Sequence, residues 1–180
     1  MIRALAFVLT LPCAVAAQSV PEPTEYETEH YRGPVPVSLT GATVVDPDAA
    51  YALWKSGRVA FVDVLPRAPK PKNLPEGTIW RDKPRPSIPG ALWLPNVGYG
   101  RLADSTHEYF KAGLVKITSG DTNAPVVFFC LDECWMSWNA AKRAVEEYGY
   151  TNVFWFPEGT DGWGFEDYPM QEVVAEPNEP

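Results

Sequence analysis

The chain has 180 residues, 46% of them apolar, and carries 15 basic against 23 acidic side chains for a formal charge of −8. That balance argues against nucleic acid as a partner, which calls for a basic face. The length suits one packed core and leaves too little chain for a second domain of ordinary size.

The opening Met-Ile-Arg is followed by an apolar run from Ala4 to Val15 and then Ala16, Ala17 and Gln18, the pattern of a secretory signal peptide. The run is about a dozen residues, too short to cross a bilayer core of roughly 30 Å as a helix. Residues 1–17 are therefore expected to be cleaved near Ala17, taking Cys13 with them and leaving Cys130 and Cys134. Export places the mature chain in the periplasm, where disulfides persist. No later segment is apolar for long enough to span a membrane.

Residues 18–38 (including PEPTEYETEHYRGPVPV) are polar and Pro-rich without helical or alternating periodicity, so they are expected to form an extended lead-in draped over the domain. The domain is assigned to 39–170. Within it Asp46 and Pro47 supply an N-cap and a first-turn proline for a short helix that Gly57 closes. VAFVDV (59–64) is apolar on both faces, as a buried strand of a parallel sheet should be. Residues 66–89 form a long Pro-rich loop holding Arg67, Lys70, Lys72, Arg81, Lys83 and Arg85 against Glu76 and Asp82; a loop of that length in a compact domain is often functional. ALWLPN (91–96), PVVFFC (125–130) and NVFWFP (152–157) repeat the strand pattern, and a less regular helix is expected over about 105–116. From 137 to 148, Trp138, Ala141, Val145 and Tyr148 share one helical face, with Lys142, Arg143, Glu146 and Glu147 mostly elsewhere. Residues 171–180 read as an acidic tail with little structure.

Strands alternating with helices predict an α/β domain whose largely parallel sheet is flanked by helices. In such a sheet ligands bind beyond the carboxyl ends of the strands. The loops after 64, 96, 130 and 157 should therefore open on one side, with Cys130 at the floor of the mouth. A loop entering a helix N-terminus offers backbone N–H groups that stabilise a thiolate and cradle anions. Asp132 and Glu133 oppose that, because carboxylates beside a sulfur disfavour the thiolate and repel an anionic substrate. Cys134, four positions from Cys130, is near enough to resolve it as a disulfide; the same bond as a permanent staple of the loop is the alternative. Arg67 is the first candidate to supply the missing positive charge, against a reading of 66–89 as a solvated cover. Trp135 and Trp163 are candidates for an aromatic wall at the rim, against simple core packing. Ser137 reads as a helix cap rather than a nucleophile, and Asp63 as a brace for the loops around the mouth. His30 and His107 are isolated, so nothing marks a metal ligand set.

Four segments, in this order and spacing, resemble the rhodanese-like family along 39–170: FVDV with Asp63 at a strand end, SIPGALWLP (87–95), Cys130 directly after PVVFF, and NVFWFPEGTDGW. The resemblance implies a single rhodanese-like domain in which the Cys130 thiolate takes up a sulfane sulfur as a persulfide. More narrowly, CLDECWMSWNAAKRA and the lead-in YRGPVPVSLTGATVV resemble the exported CXXCW-motif proteins associated with pyrroloquinoline quinone (PQQ)-dependent catabolism. Here three residues, Leu131, Asp132 and Glu133, separate the cysteines. That resemblance implies a periplasmic role accessory to PQQ-dependent alcohol oxidation, beside a quinoprotein dehydrogenase or cytochrome, with small sulfur or thiol species as reactants. Two functions stay open: a thiol site performing dithiol redox or sulfur transfer, and a non-catalytic module that holds a quinone-type cofactor or docks on such a partner, its cysteines a structural disulfide.

Overall fold

A computed structural model describes residues 20–69, 71–79 and 83–177. The expected signal peptide at 1–17 lies outside the described residues, as do Lys70 and Arg81 of the basic loop. Three of the four apolar runs become the centre of a sheet: β2 (Ala60–Asp63), β5 (Val126–Phe129) and β6 (Val153–Phe156). With the edge strands β1 (Ala42–Val44) and β4 (Leu92–Trp93), the order is β1-β6-β5-β2-β4. Every pairing in this sheet is parallel.

Parallel neighbours need long crossovers, and helices supply them on both faces. The period-two alternation of the strands divides the core accordingly. Val62, Val126, Phe128, Val153 and Trp155 pack with α2 (Asp104–Thr118) and α3 (Trp135–Glu146). Phe61, Val127, Phe129 and Phe156 pack with α1 (Pro47–Lys55) and α4 (Gly159–Phe165). This is the expected α/β architecture. Among the described residues no helix is long and apolar enough to cross a membrane.

The helix α1 starts as its sequence predicts, the Asp46 carboxylate accepting the Ala49 N–H at 2.8 Å. The helix after the cysteines departs from expectation. It begins at Trp135 with Cys134 as its N-cap residue, and Ser137 lies inside the first turn, its hydroxyl donating back to the Cys134 carbonyl at 3.1 Å. Ser137 is therefore not the cap; Cys134 is extended at that point, so the helical turn closes earlier. The glycine-rich segment read as a late turn folds as α4.

The expectation of an unstructured tail fails for residues 171–177. Gln171–Val173 form β7, antiparallel to β3 (Arg85–Ser87), with Arg85 opposite Val173 and Ser87 opposite Gln171. Beyond it the Glu176 N–H bonds the Trp93 carbonyl at 2.9 Å and the Lys116 ammonium bonds the Glu176 carboxylate at 2.6 Å. Neither strand has a periodicity of its own, and each is made by the other.

The lead-in lies across the outer face of α3. The Glu27 N–H donates to the Asn139 Oδ1 at 3.0 Å, while the Asn139 amide donates to the Glu27 carbonyl at 2.9 Å. Arg143, placed by periodicity on the polar side, is buried beneath this segment. Its guanidinium lies 4.3 Å from the Tyr26 ring centroid and donates to the Val97, Tyr99 and Gly100 carbonyls. A helix read as amphipathic is thus covered on nearly every side, because an extended segment far away in sequence supplies the second partner.

Candidate functional site

Cys130 follows β5 at the carboxyl end of the sheet, and Cys134 closes the loop where α3 begins. Their Cα atoms are 6.5 Å apart and their sulfurs are joined as a disulfide, a separation within the usual range. A bonded sulfur pair at the mouth of the sheet fits a sulfur-transfer or thiol role. Both residues are buried, Cys130 at 0% exposure and Cys134 at 2%.

Three backbone donors around this loop are engaged. The Asp132 N–H donates to the Asp161 carboxylate at 3.1 Å and the Glu133 N–H to the Asp132 carboxylate at 2.8 Å. The Trp135 N–H donates to the Tyr31 carbonyl at 3.1 Å. Glu133 takes a left-handed backbone, φ 48°, which turns the chain into the helix. These three amides are taken by oxygen acceptors, two of them carboxylates, and so are not offered to an anionic ligand in this state.

Behind the loop stands a buried ion pair. Asp63, at the end of β2, is fully buried and accepts from the Arg85 Nε at 2.8 Å, the Ser87 hydroxyl at 2.6 Å and the Leu65 N–H at 3.0 Å. Burial pushes its carboxyl above the ordinary range, while Arg85, Ser87 and the Leu65 amide pull it back. The Arg85 guanidinium also donates to the Cys130 carbonyl at 3.3 Å. That carbonyl further accepts the Thr160 N–H at 3.0 Å and the Thr160 hydroxyl at 3.2 Å. Gly159 lets α4 approach: with φ 52°, a Cβ there would stand 2.6 Å from the Cys130 carbonyl oxygen. Asp63 and Arg85 thus tie β2 and β3 to the cysteine loop, and Thr160 ties in α4.

Among the described residues the arginine that reaches the cysteine loop is Arg85, not the favoured Arg67. Arg67 lies 5.9 Å from the Trp93 ring centroid and, with Lys83, Arg85 and Trp93, lines a neighbouring cavity of about 220 Å³. Arg85 was hidden in a run of prolines and cations with no period; its burial at the start of β3 shows only in the structure. Thr160, Asp161 and Tyr31 were missed as well, since each reaches the loop from a distant segment.

The aromatic wall is not present at the rim. Trp163 is fully buried on the opposite face of the sheet, among Tyr51, Trp54, Phe61 and Tyr168. Trp135 is 7% exposed and packs edge-on against Trp138 with centroids 5.4 Å apart. Apolar surface decides both cases: each indole is worth more buried than at a wet rim. Ser137 links the site to the core, its hydroxyl accepting from the Trp155 indole at 3.0 Å. Asp132 and Glu133 are exposed.

Carboxylates crowd the α4 side of the loop. Desolvation and the negative charges of Asp132, Asp46 and Glu166 hold the Glu158 carboxyl above its usual range. A raised acid pKa means that the folded state binds the proton more tightly than the unfolded one, so ionised Glu158 opposes folding. Glu158→Gln is expected to raise the thermal midpoint modestly at neutral pH. The gain should vanish near pH 3, where the unfolded carboxyl is protonated as well; equal midpoints at both pH values would contradict this.

No family model and no curated protein matches the chain. Among solved structures, a thiosulfate sulfurtransferase from Pseudomonas aeruginosa is 13% identical with a TM-score of 0.48, over 75% of this chain and 21% of that one. The 30 kDa polysulfide-sulfur transferase homodimer from Wolinella succinogenes is 17% identical with a TM-score of 0.45, over 73% and 79%. An uncharacterised protein from Saccharomyces cerevisiae is 20% identical with a TM-score of 0.40, over 69% and 92%. The chain spans about a fifth of the length of the Pseudomonas aeruginosa protein.

Proposed function

We propose that this chain is an exported rhodanese-like protein whose Cys130–Cys134 pair works by thiol-disulfide exchange in the periplasm. The role would be accessory to PQQ-dependent alcohol catabolism, beside a quinoprotein dehydrogenase or cytochrome. The observation that carries the reading is the disulfide itself, set in a loop three of whose amides, those of Asp132, Glu133 and Trp135, are already bonded to carboxylates and a carbonyl. Persulfide chemistry on an anionic donor would need those amides free and the local charge positive. Exchange with a neutral or cationic thiol needs neither.

In the reductive direction a dithiol partner attacks one sulfur, the Cys130–Cys134 bond breaks, and the released cysteine leaves as a thiolate. The partner's second thiol then resolves the mixed disulfide. Two electrons and two protons pass to the pair and the partner becomes the disulfide. The PQQ association, the partner and the location rest on the resemblance of the lead-in and the cysteine segment to the CXXCW-motif proteins.

Titration of the purified mature protein in redox buffers, with free thiols counted by alkylation and mass spectrometry, tests the reading. A reversible Cys130–Cys134 couple with a potential well above about −300 mV is the expected result. Thiosulfate added in parallel should leave no persulfide on Cys130; a trapped persulfide would turn the assignment to sulfur transfer. The burial of both sulfurs favours the second reading, a binding module stapled by a structural disulfide. A bond that yields only when the protein unfolds would decide for it.

A further inference from the structure

The wall that separates the disulfide from solvent includes a piece of the lead-in. Tyr31–Gly33 lie alongside the cysteine loop as a short antiparallel pairing, with Arg32 opposite Cys134. The Gly33 N–H donates to the Glu133 carbonyl at 2.9 Å and the Trp135 N–H to the Tyr31 carbonyl at 3.1 Å. The Tyr31 hydroxyl accepts the Gly100 N–H at 3.1 Å, and its ring meets Tyr99 edge-on with centroids 5.2 Å apart. The other walls are core: the start of α3, the end of β5, and Thr160 of α4 bonded to the Cys130 carbonyl. The strap is different in kind. None of residues 21–35 is buried, and near the sulfurs it is held by these few hydrogen bonds and by the partly buried side chains of Tyr31 and Val35 against the core. Gly33 also sits at φ 146°, where a side chain would be strained, with open space around it.

Exchange at a disulfide requires a thiolate to reach a sulfur atom directly. Both cysteines are buried, so the chain around them must open first, and local opening begins where few apolar contacts hold a segment down. We propose that the strap over Cys134, centred on Tyr31–Gly33, is a gate whose displacement admits a dithiol reductant to the Cys130–Cys134 bond. The inference rests on the redox reading of the pair. With the strap lifted, the thiolate attacks the Cys134 Sγ and Cys130 leaves as a thiolate. The reductant's second thiol then displaces Cys134, closing the balance of two electrons and two protons.

The test compares reduction of the full mature chain by dithiothreitol with that of two strap variants. Gly33→Pro removes the N–H that bonds Glu133 and fixes a φ incompatible with the closed strap. Tyr31→Ala removes the anchor on Gly100 and Tyr99. Neither replaces a cysteine or a buried residue of the core. Each is expected to accelerate reduction about tenfold, the scale of one lost net hydrogen bond, with the near-UV dichroism of the buried tryptophans unchanged. Unchanged rates in both variants would overturn the gate and leave the redox pair standing. Acceleration with loss of the near-UV signal would place the opening in the core and overturn it too. A disulfide resistant to dithiothreitol in all three folded proteins would overturn the redox reading, and the gate with it.

Discussion

Arg85→Ala is expected to destabilise the protein by about 3–5 kcal/mol, the range found when one partner of a buried ion pair is removed. The cause is what stays behind. Asp63 is fully buried, and without the guanidinium its carboxylate keeps only the Ser87 hydroxyl and the Leu65 amide. The Cys130 carbonyl loses a donor at the same time. For a domain of this size that corresponds to a fall of roughly 10 °C in thermal midpoint. Arg85→Lys should recover only part of it, because an ammonium cannot serve Asp63 and the Cys130 carbonyl together from a fixed fork. Replacing both partners, Asp63→Leu with Arg85→Met, should be less damaging than Arg85→Ala alone, since no charge is left unpaired. Thermal and urea unfolding of the oxidised protein measure the series. A loss below about 1 kcal/mol for Arg85→Ala would mean that water or another cation reaches Asp63, and would remove the bracing role assigned to the pair.

The second large effect is functional. Cys130→Ser combined with Cys134→Ser should abolish every electron and sulfur exchange of the protein while leaving it folded. The disulfide closes a loop of only a few residues, so the chain-entropy argument assigns it about 2 kcal/mol of stability. The buried pair Asp63–Arg85, the Thr160 bonds and the Ser137–Trp155 bond hold the loop by other means. Redox titration and the unfolding midpoint of the double variant read the two parts separately. Collapse of the fold would show the disulfide to be a staple first. A folded double variant that binds the proposed partner as the parent protein does would favour the binding module over the thiol site.

The parts of this fold legible in the sequence are those whose information is local. The runs AFVD, VVFF and VFWF are apolar on both faces, which only a strand covered from both sides can use. Asp46 and Pro47 mark a helix start because capping is a contact across three residues. Cys130 was placed at the end of a strand and the mouth of the sheet by the same local reasoning, and the structure puts it there. The elements that were missed, β1, β3, β7 and α4, are short and carry no periodicity.

The sequence by itself determined an acidic α/β domain with a parallel sheet core and a cysteine pair at its carboxyl edge, because hydrophobic period and turn chemistry act within a few residues. Only the tertiary structure decided that Arg85 rather than Arg67 reaches the cysteine loop, that Trp163 faces the other side of the sheet, and that α3 is buried under the lead-in. It also decided that residues 171–177 are paired and that Tyr31–Gly33 cover Cys134. Each of these depends on a partner tens of residues away, and a polar or proline-rich segment has no signature of its own for the surface it will meet. A buried arginine and a solvated one look alike until the carboxylate that receives one of them is in place.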